Sequence, residues 1–301
     1  MKSSLLLFTF SAFISLIAAA SSPLEIEVVH ALPQGRFSVG IGSEIQLSKN
    51  GKNLRPGLFL GRLIEPNGKL SSFMFYDTAA NTVMYVDKDS IEVKDRGFQD
   101  VLDLYEQQGG TCTAYAMYDF LQQMNLAGFA GNKALNKTLA DEQGRTQLLV
   151  DIVNQYYLEP QHQFSTTGIL NGFGKKFDFK CKKKSFNDID SIREFFQTQL
   201  ETGMPVLIGF NVGPDMFNPS FKMLDYDHPK DKVDKRLWIP RQRGQRESGG
   251  HSVAAVAAFT LKGHLALVML DSDWDRPRVW EFDRVFTAKT ALDEIEFDIC
   301  E

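Results

Sequence analysis

Short runs of alternating apolar and polar positions fill the first third of the chain and predict β-strands there. Turn-forming clusters such as Pro33-Gln34-Gly35 and Pro66-Asn67-Gly68 separate these runs. Six short strands indicate a small all-β domain of the barrel or meander type, which we assign to residues 21–94. The predicted strands cover residues 26–29, 37–41, 58–64, 72–76, 82–86 and 90–93.

The pattern changes at about residue 95, where helical spacing mixes with apolar runs. Over residues 112–126 the apolar side chains recur at helical intervals on one face, at Ala114, Met117, Tyr118, Leu121 and Met124. Similar patterns predict helices over residues 139–157 and 189–201. Further strands are predicted over residues 205–212, 251–260, 264–270 and 278–282. We therefore expect residues 95–301 to form an α+β domain.

Residues 225–250 are rich in Lys, Arg and Gly, lack periodicity and are predicted to form a long exposed loop. A solvated surface loop is the favoured interpretation. A lid for acidic substrates and a processing site are the alternatives. The basic side chains concerned are Lys230, Lys232, Lys235, Arg236, Arg241, Arg243 and Arg246.

Residues 1–20 have the pattern of a secretory signal peptide. An uncharged run over residues 5–20 ends in Ala18-Ala19-Ala20-Ser21, which suits signal-peptidase cleavage. An uncleaved anchor is the alternative, but the run is shorter than the roughly 20 apolar residues that cross a bilayer. We expect a secreted or periplasmic mature chain with no integral membrane span.

The charge balance makes nucleic acid an unfavourable partner. The 301 residues include 33 Lys and Arg against 38 Asp and Glu, and the formal net charge is -5. No general basic field is therefore available to bind a phosphate backbone. We also expect no metal and no cofactor. The three cysteines are Cys112, Cys181 and Cys300, so at most one intramolecular disulfide can form.

Cys112 lies at the first turn of a predicted helix and follows Gly109-Gly110-Thr111. A helix N-terminus offers unpaired backbone N–H groups and a positive dipole end, which favour a thiolate and can also bind an oxyanion. These features make Cys112 a candidate nucleophile. A buried structural cysteine is the alternative.

A thiolate nucleophile needs a base, and His251 is the best placed of the five histidines. It follows Gly249-Gly250 and opens a strand of small apolar residues. His264 opens the next strand after a Lys262-Gly263 turn, so it should lie at the far end of the hairpin as a surface residue. Asp271 ends that second strand, beside the start of the first, and can orient His251.

Four segments resemble motifs of the papain-like cysteine peptidases, in the family's order along the chain. Residues 106–116 are similar to the Gln-Gly-x-x-Gly-Ser-Cys-x-Ala-x-Ala signature of bacterial members, and residues 249–253 to the histidine segment. Residues 200–206 resemble the Gly-x-Pro-Val strand, and Asp271-Ser272-Asp273-Trp274 resembles the Asn-Ser-Trp segment with Asp for Asn and one inserted residue. The family's spacing of roughly 130 to 150 residues between Cys and His includes the spacing found here.

The resemblance implies a papain-like fold, with a helical half carrying Cys112 and an antiparallel β half carrying His251 and Asp271. It implies a secreted peptidase acting on a protein or peptide, with Gln107 in the oxyanion hole and Gln108 as the alternative. The glutamine segment is one residue shorter than in the family, the Asp replaces the family's Asn, and the cysteine-rich framework of the animal and plant enzymes is absent.

Two other functions stay open. A cell-wall peptidoglycan amidase or endopeptidase would use a histidine closer to the cysteine, such as His162. A papain-like scaffold without activity would act as a binding protein. The β domain is a pro-region, a targeting module for a cell-surface or cell-wall component, or a packing layer. Cys181 and Cys300 have no chemically interesting neighbours and are expected to pair, which would leave Cys112 as the free thiol.

Overall fold

The computed structural model describes residues 23–50, 52–93, 97–105, 107, 110–128, 133–158, 165–214, 222–225, 238–273 and 276–301. These residues form two β-sheets and six α-helices, which confirms the α+β class. The signal peptide assigned to residues 1–20 lies outside the described residues. Within the described part of the chain, no helix has both the length and the apolar character needed to cross a membrane.

The helices and strands follow in chain order. The strands are β1 (Leu24–His30), β2 (Glu44–Lys49), β3 (Lys52–Ile64), β4 (Leu70–Asp77), β5 (Thr82–Asp87), β6 (Ile91–Glu92), β7 (Asp100–Leu102), β8 (Cys181–Lys184), β9 (Val206–Val212), β10 (Lys222–Asp225), β11 (Gly249–Leu261), β12 (His264–Leu270), β13 (Arg278–Glu281) and β14 (Ile295–Cys300). The helices are α1 (Cys112–Leu126), α2 (Lys133–Leu139), α3 (Glu142–Leu158), α4 (Thr166–Phe177), α5 (Ile189–Glu201) and α6 (Phe282–Val285).

The first sheet has the strand order β10-β5-β4-β3-β2-β1-β6, with β7 paired to β3. Consecutive strands from β1 to β5 pair antiparallel, as expected for strands joined by short turns. β7 and β10 pair in parallel with β3 and β5 and come from the part of the chain assigned to the second domain. The first sheet therefore includes strands from both parts of the chain.

The second sheet has the order β13-β12-β11-β9-β14-β8, and all its pairs are antiparallel. β11 is apolar on both faces: Ala254 and Val256 pack in the core that contains α1, while Val253 and Ala255 pack in the core that contains α5. Small side chains on β11 let α1 lie close to the sheet. This packing places the start of α1 beside the start of β11.

One hydrophobic core joins the two sheets. It contains Leu60 and Tyr76 of the first sheet together with Met117 and Leu121 of α1, all of them almost fully buried. Because α1 carries Cys112, the first sheet packs directly against the helix that holds the candidate nucleophile. The structure thus favours the packing-layer interpretation of the β domain.

Several predicted elements are confirmed, and others differ. α1 and α5 have the predicted bounds, and Lys262 and Gly263 both have positive φ in the β11–β12 turn, as a type I′ hairpin requires. Residues 37–41 form only isolated bridges instead of the predicted strand. The predicted helix over residues 139–157 is interrupted after α2, and Asp141 accepts a hydrogen bond from the Gly144 N–H at the start of α3.

Cys181 and Cys300 face each other on the paired strands β8 and β14 and are joined by a disulfide. Neither strand was predicted. Among the described residues Cys112 is the free cysteine.

Candidate active site

Cys112 is the first residue of α1 and is partly exposed. Thr111 is the N-cap residue but makes no side-chain cap, and its carbonyl accepts the N–H groups of Ala114 and Tyr115. The first N–H groups of a helix have no partner within the helix, so they can act on the sulfur or on a substrate oxygen. The backbone N–H of Ser252 also donates to the Cys112 sulfur.

His251 is buried near the start of β11 and contacts both Cys112 and Asp271. Its Nε2 lies 3.0 Å from Oδ1 of Asp271, which is fully buried after the end of β12. With Nε2 bonded to Asp271, Nδ1 is the ring nitrogen left for the thiol. The side chains of Cys112 and His251 form a hydrogen bond with each other.

These contacts change the acid–base chemistry of the pair. Burial acts to raise the pKa of Cys112, but the hydrogen bond and charge of His251 outweigh it and hold that pKa below its ordinary value. Burial acts to lower the pKa of His251, but Asp271 and Cys112 outweigh it and raise that pKa to about 10. The arrangement therefore supports a thiolate–imidazolium pair at neutral pH.

The hairpin of β11 and β12 explains why Asp271 reaches His251. Ala254 pairs with Leu270 across the hairpin, so the chain after Leu270 lies beside the start of β11. His264 lies at the other end of β12, where it is exposed and bonds Asp283 at 3.2 Å. His162 and His228 lie outside the described residues.

Gln107 lies against the segment that follows Asp271. Its backbone N–H donates to the Ser272 carbonyl at 2.9 Å, and its side-chain oxygen accepts from the Ser272 hydroxyl at 2.9 Å. Its Nε2 donates one hydrogen to Asp273. Gln108 lies outside the described residues. The structure thus brings Gln107 to the Asp271 side of the site.

Trp238 and Phe210 surround the His251 ring and were not identified from the sequence. Their ring centroids lie 6.4 Å and 5.7 Å from that of His251. Trp238 also donates a hydrogen bond to Asp273. It precedes His251 by a stretch of polar sequence without periodicity, so no sequence signal indicates this contact. Trp274, from the segment similar to Asn-Ser-Trp, lies outside the described residues.

Two hydroxyl contacts fasten the start of α1. The hydroxyls of Thr113 and Ser252 lie 3.0 Å apart and join α1 to β11. The Tyr157 hydroxyl of α3 donates to the Gly110 carbonyl just before the helix. Burial, the neighbouring Tyr156 and the charge of Cys112 raise the pKa of Tyr157 to about 12, so its hydroxyl stays neutral.

The described part of the basic loop is folded onto the protein. Ile239 and Pro240 are buried, and the Arg241 guanidinium forms an ion pair with Glu294. The prediction of an exposed loop over residues 225–250 is therefore wrong for this part, because Arg241 and its neighbours are held by the residues before β14. Arg243 and Arg246 remain exposed, whereas Lys230, Lys232, Lys235 and Arg236 lie outside the described residues.

Among the described residues, His251, Asp271 and Asp273 form the one group whose potential metal-ligand atoms lie within 4.8 Å of one another. These atoms already serve other contacts: His251 bonds Asp271, and Asp273 accepts from Gln107 and Trp238. We assign no metal to this group.

Comparisons with known proteins identify no relative. No protein-family model matches the sequence, and no curated protein matches it. The functional conclusion therefore depends on the residues of the site and their geometry.

Proposed function

We propose that the protein is an exported papain-like cysteine peptidase that hydrolyses peptide bonds through Cys112, His251 and Asp271. One observation carries the proposal: a partly exposed cysteine at a helix N-terminus is hydrogen-bonded to a buried histidine, which a buried carboxylate holds at 3.0 Å. This is the arrangement of nucleophile, base and orienting group that acyl transfer by a thiol requires.

The reaction begins when the Cys112 thiolate attacks the carbonyl carbon of the substrate. The His251 imidazolium then gives its proton to the leaving amine nitrogen, the C–N bond breaks, and an acyl-enzyme remains on the sulfur. In the second half, neutral His251 takes a proton from water as the water attacks the thioester. The acid product leaves, and the thiolate–imidazolium pair is restored.

The backbone N–H of Cys112 and the Gln107 side chain are the proposed oxyanion donors. Gln107 Nε2 carries two hydrogens, of which one is donated to Asp273. The second is the hydrogen that the oxyanion would accept. Because Gln107 is fastened to Ser272 and Asp273, it is held in one orientation before substrate binds, and such preorganisation favours this kind of stabilisation.

A papain-like scaffold that binds a protein or peptide without cleaving it is the second candidate. The engagement of Gln107 by Ser272 and Asp273 favours it, because the amide would have to serve both this contact and the oxyanion. A cell-wall hydrolase that uses His162 is less well supported, since Cys112 already pairs with His251.

Alkylation combined with hydrolysis tests the proposal. With Cys181 and Cys300 in a disulfide, iodoacetamide should add one label per native chain, and Cys112→Ala should abolish both the label and the hydrolysis of unfolded casein. His251→Ala should abolish hydrolysis as well. His264→Ala is the matched control, because it removes a histidine from the far end of the same hairpin that is also bonded to an aspartate. Activity retained in Cys112→Ala would refute the proposal, whereas a reactive Cys112 without hydrolysis would support the binding protein.

A further inference from the structure

Asp119 is a buried carboxyl group for which the proposed mechanism has no use. It lies in α1, two helical turns after Cys112 and so near the same helix face. Its side chain is 2% exposed, and its Oδ2 has no hydrogen-bond partner among the described residues. An unpaired buried carboxyl oxygen is costly unless the group is neutral or shares a proton.

Asp271 has a matching unpaired oxygen. Its Oδ1 contacts His251 Nε2 at 3.0 Å and accepts the Asp273 N–H at 3.1 Å. Its Oδ2 is buried and has no hydrogen-bond partner among the described residues. The two carboxyls lie close enough for the charge of Asp271 to act on Asp119. Each therefore has one oxygen that lacks the proton or donor it needs.

The charges around the two groups leave room for one anion. His251 supplies one positive charge, which the Cys112 thiolate and Asp271 already face. The ionisable groups that interact with Asp119 are Asp271 after β12 and Tyr115 and Tyr118 on its own helix, none of them a cation. Burial first, and the charge of Asp271 second, raise the pKa of Asp119 well above its ordinary value.

We propose that Asp119 is a neutral carboxylic acid in the native protein at neutral pH and shares its proton with Oδ2 of Asp271, directly or through one buried water. Asp119 is then a positioning residue, which keeps Asp271 anionic and turns its Oδ1 toward His251. The inference rests on the proposed function, because it gives Asp119 a role only through the pair of Asp271 and His251.

Asparagine and leucine at position 119 separate the charge of the side chain from its hydrogen bond. Asp119→Asn keeps a donor without a charge, and Asp119→Leu keeps the approximate size without a donor. The first measurement is infrared absorption of the native protein at neutral pH, where a protonated carboxyl band should be present and should be lost in Asp119→Asn. Absence of that band from the native protein would overturn the inference even if Asp119→Leu does not fold.

The second measurement is the pH dependence of Cys112 alkylation by iodoacetate, an anion that reacts best while His251 is positively charged. In Asp119→Asn the alkaline limb should stay at its native pH, because a neutral group replaces a neutral group. In Asp119→Leu the alkylation rate at neutral pH should fall by about tenfold, because Asp271 loses its donor. An alkaline limb that moves to lower pH in Asp119→Asn, or equal rates in the Asn and Leu variants, would overturn the inference.

Gln123→Leu is the matched control. Gln123 is a fully buried polar residue on the same helix, and its amide contacts the Asp100 carbonyl at 3.3 Å. This variant should lower stability without changing the alkylation profile. A native protein with no thiolate at neutral pH would refute the proposed function itself, whereas an infrared band of the wrong behaviour would refute only the role of Asp119.

Discussion

Replacing Asp271 by asparagine is expected to narrow the pH range over which the Cys112 and His251 pair exists. Asp271 is fully buried, and its Oδ1 lies 3.0 Å from His251 Nε2. Asparagine keeps a hydrogen-bond acceptor of the same shape but removes the negative charge. The imidazolium then faces the Cys112 thiolate without its second counter-charge.

The magnitude follows from the burial of the pair. Removing one partner of a buried charge pair costs about 3 to 5 kcal/mol, and 1.36 kcal/mol corresponds to a change of one in pKa. Asp271 and Cys112 together raise the pKa of His251 to about 10 despite its burial. In Asp271→Asn we expect this pKa to fall by about two to three. The imidazolium needed to protonate the leaving amine would then be lost near neutral pH.

Alkylation of Cys112 by iodoacetate measures this change without requiring a substrate. The native protein should show an alkaline limb near the pKa of His251, about 10, and the variant should show it two to three pH units lower. Asp283→Asn is the matched control, because it removes the carboxylate from the exposed His264 instead. An alkaline limb at the same pH in Asp271→Asn and the native protein would refute the reasoning, since the charge of Asp271 would then have no effect on His251.

Three further predictions concern stability and the thiolate. Loss of the disulfide in the double variant Cys181→Ala and Cys300→Ala, which opens a loop with a sequence separation of 119, should lower the free energy of unfolding by about 2 to 5 kcal/mol; an unchanged urea midpoint would contradict this. Burial raises the pKa of Asp298 from 3.8 to about 6, so the folded state holds a proton that the unfolded state has lost and stability falls as pH rises between these values. Asp298→Asn should abolish that fall, worth about 3 kcal/mol at neutral pH, and urea unfolding at pH values on either side of the window should show equal stabilities for the variant. Thr113→Val removes the hydroxyl contacts with Ser252 and Cys112 and should cost about 1 kcal/mol and raise the pKa of the thiol, as followed by thiolate absorbance, whereas Thr113→Ser should restore both.

The local pattern was sufficient for the elements that carry the candidate nucleophile and base. The bounds of α1, α5 and β12 agree with the prediction because their apolar spacing and their end signals lie within the segment itself. The meeting of Asp271 with His251 was also predictable, because a tight turn at Lys262 and Gly263 fixes the register of the hairpin.

Other elements escaped prediction for physical reasons that can be stated. α4 contains three glycines, which weaken its helical pattern, although Ser165 caps its start and Asp178 ends it with a positive φ. β8 reads as a basic turn, and only its pairing with β14 makes it a strand. β10 exists because β5 offers an unpaired edge on which a segment distant in sequence can form hydrogen bonds.

The sequence by itself determined the α+β class, the helix that begins at Cys112 and the hairpin that joins His251 to Asp271, because neighbours along the chain suffice to specify them. Only the tertiary structure decided that Trp238 lies beside His251, that Gln107 is held by Ser272 and Asp273, and that Asp119 and Asp271 are buried near each other. These contacts join segments far apart in sequence, and their effects on charge and hydrogen bonding depend on burial, which exists only once the core around α1 has formed.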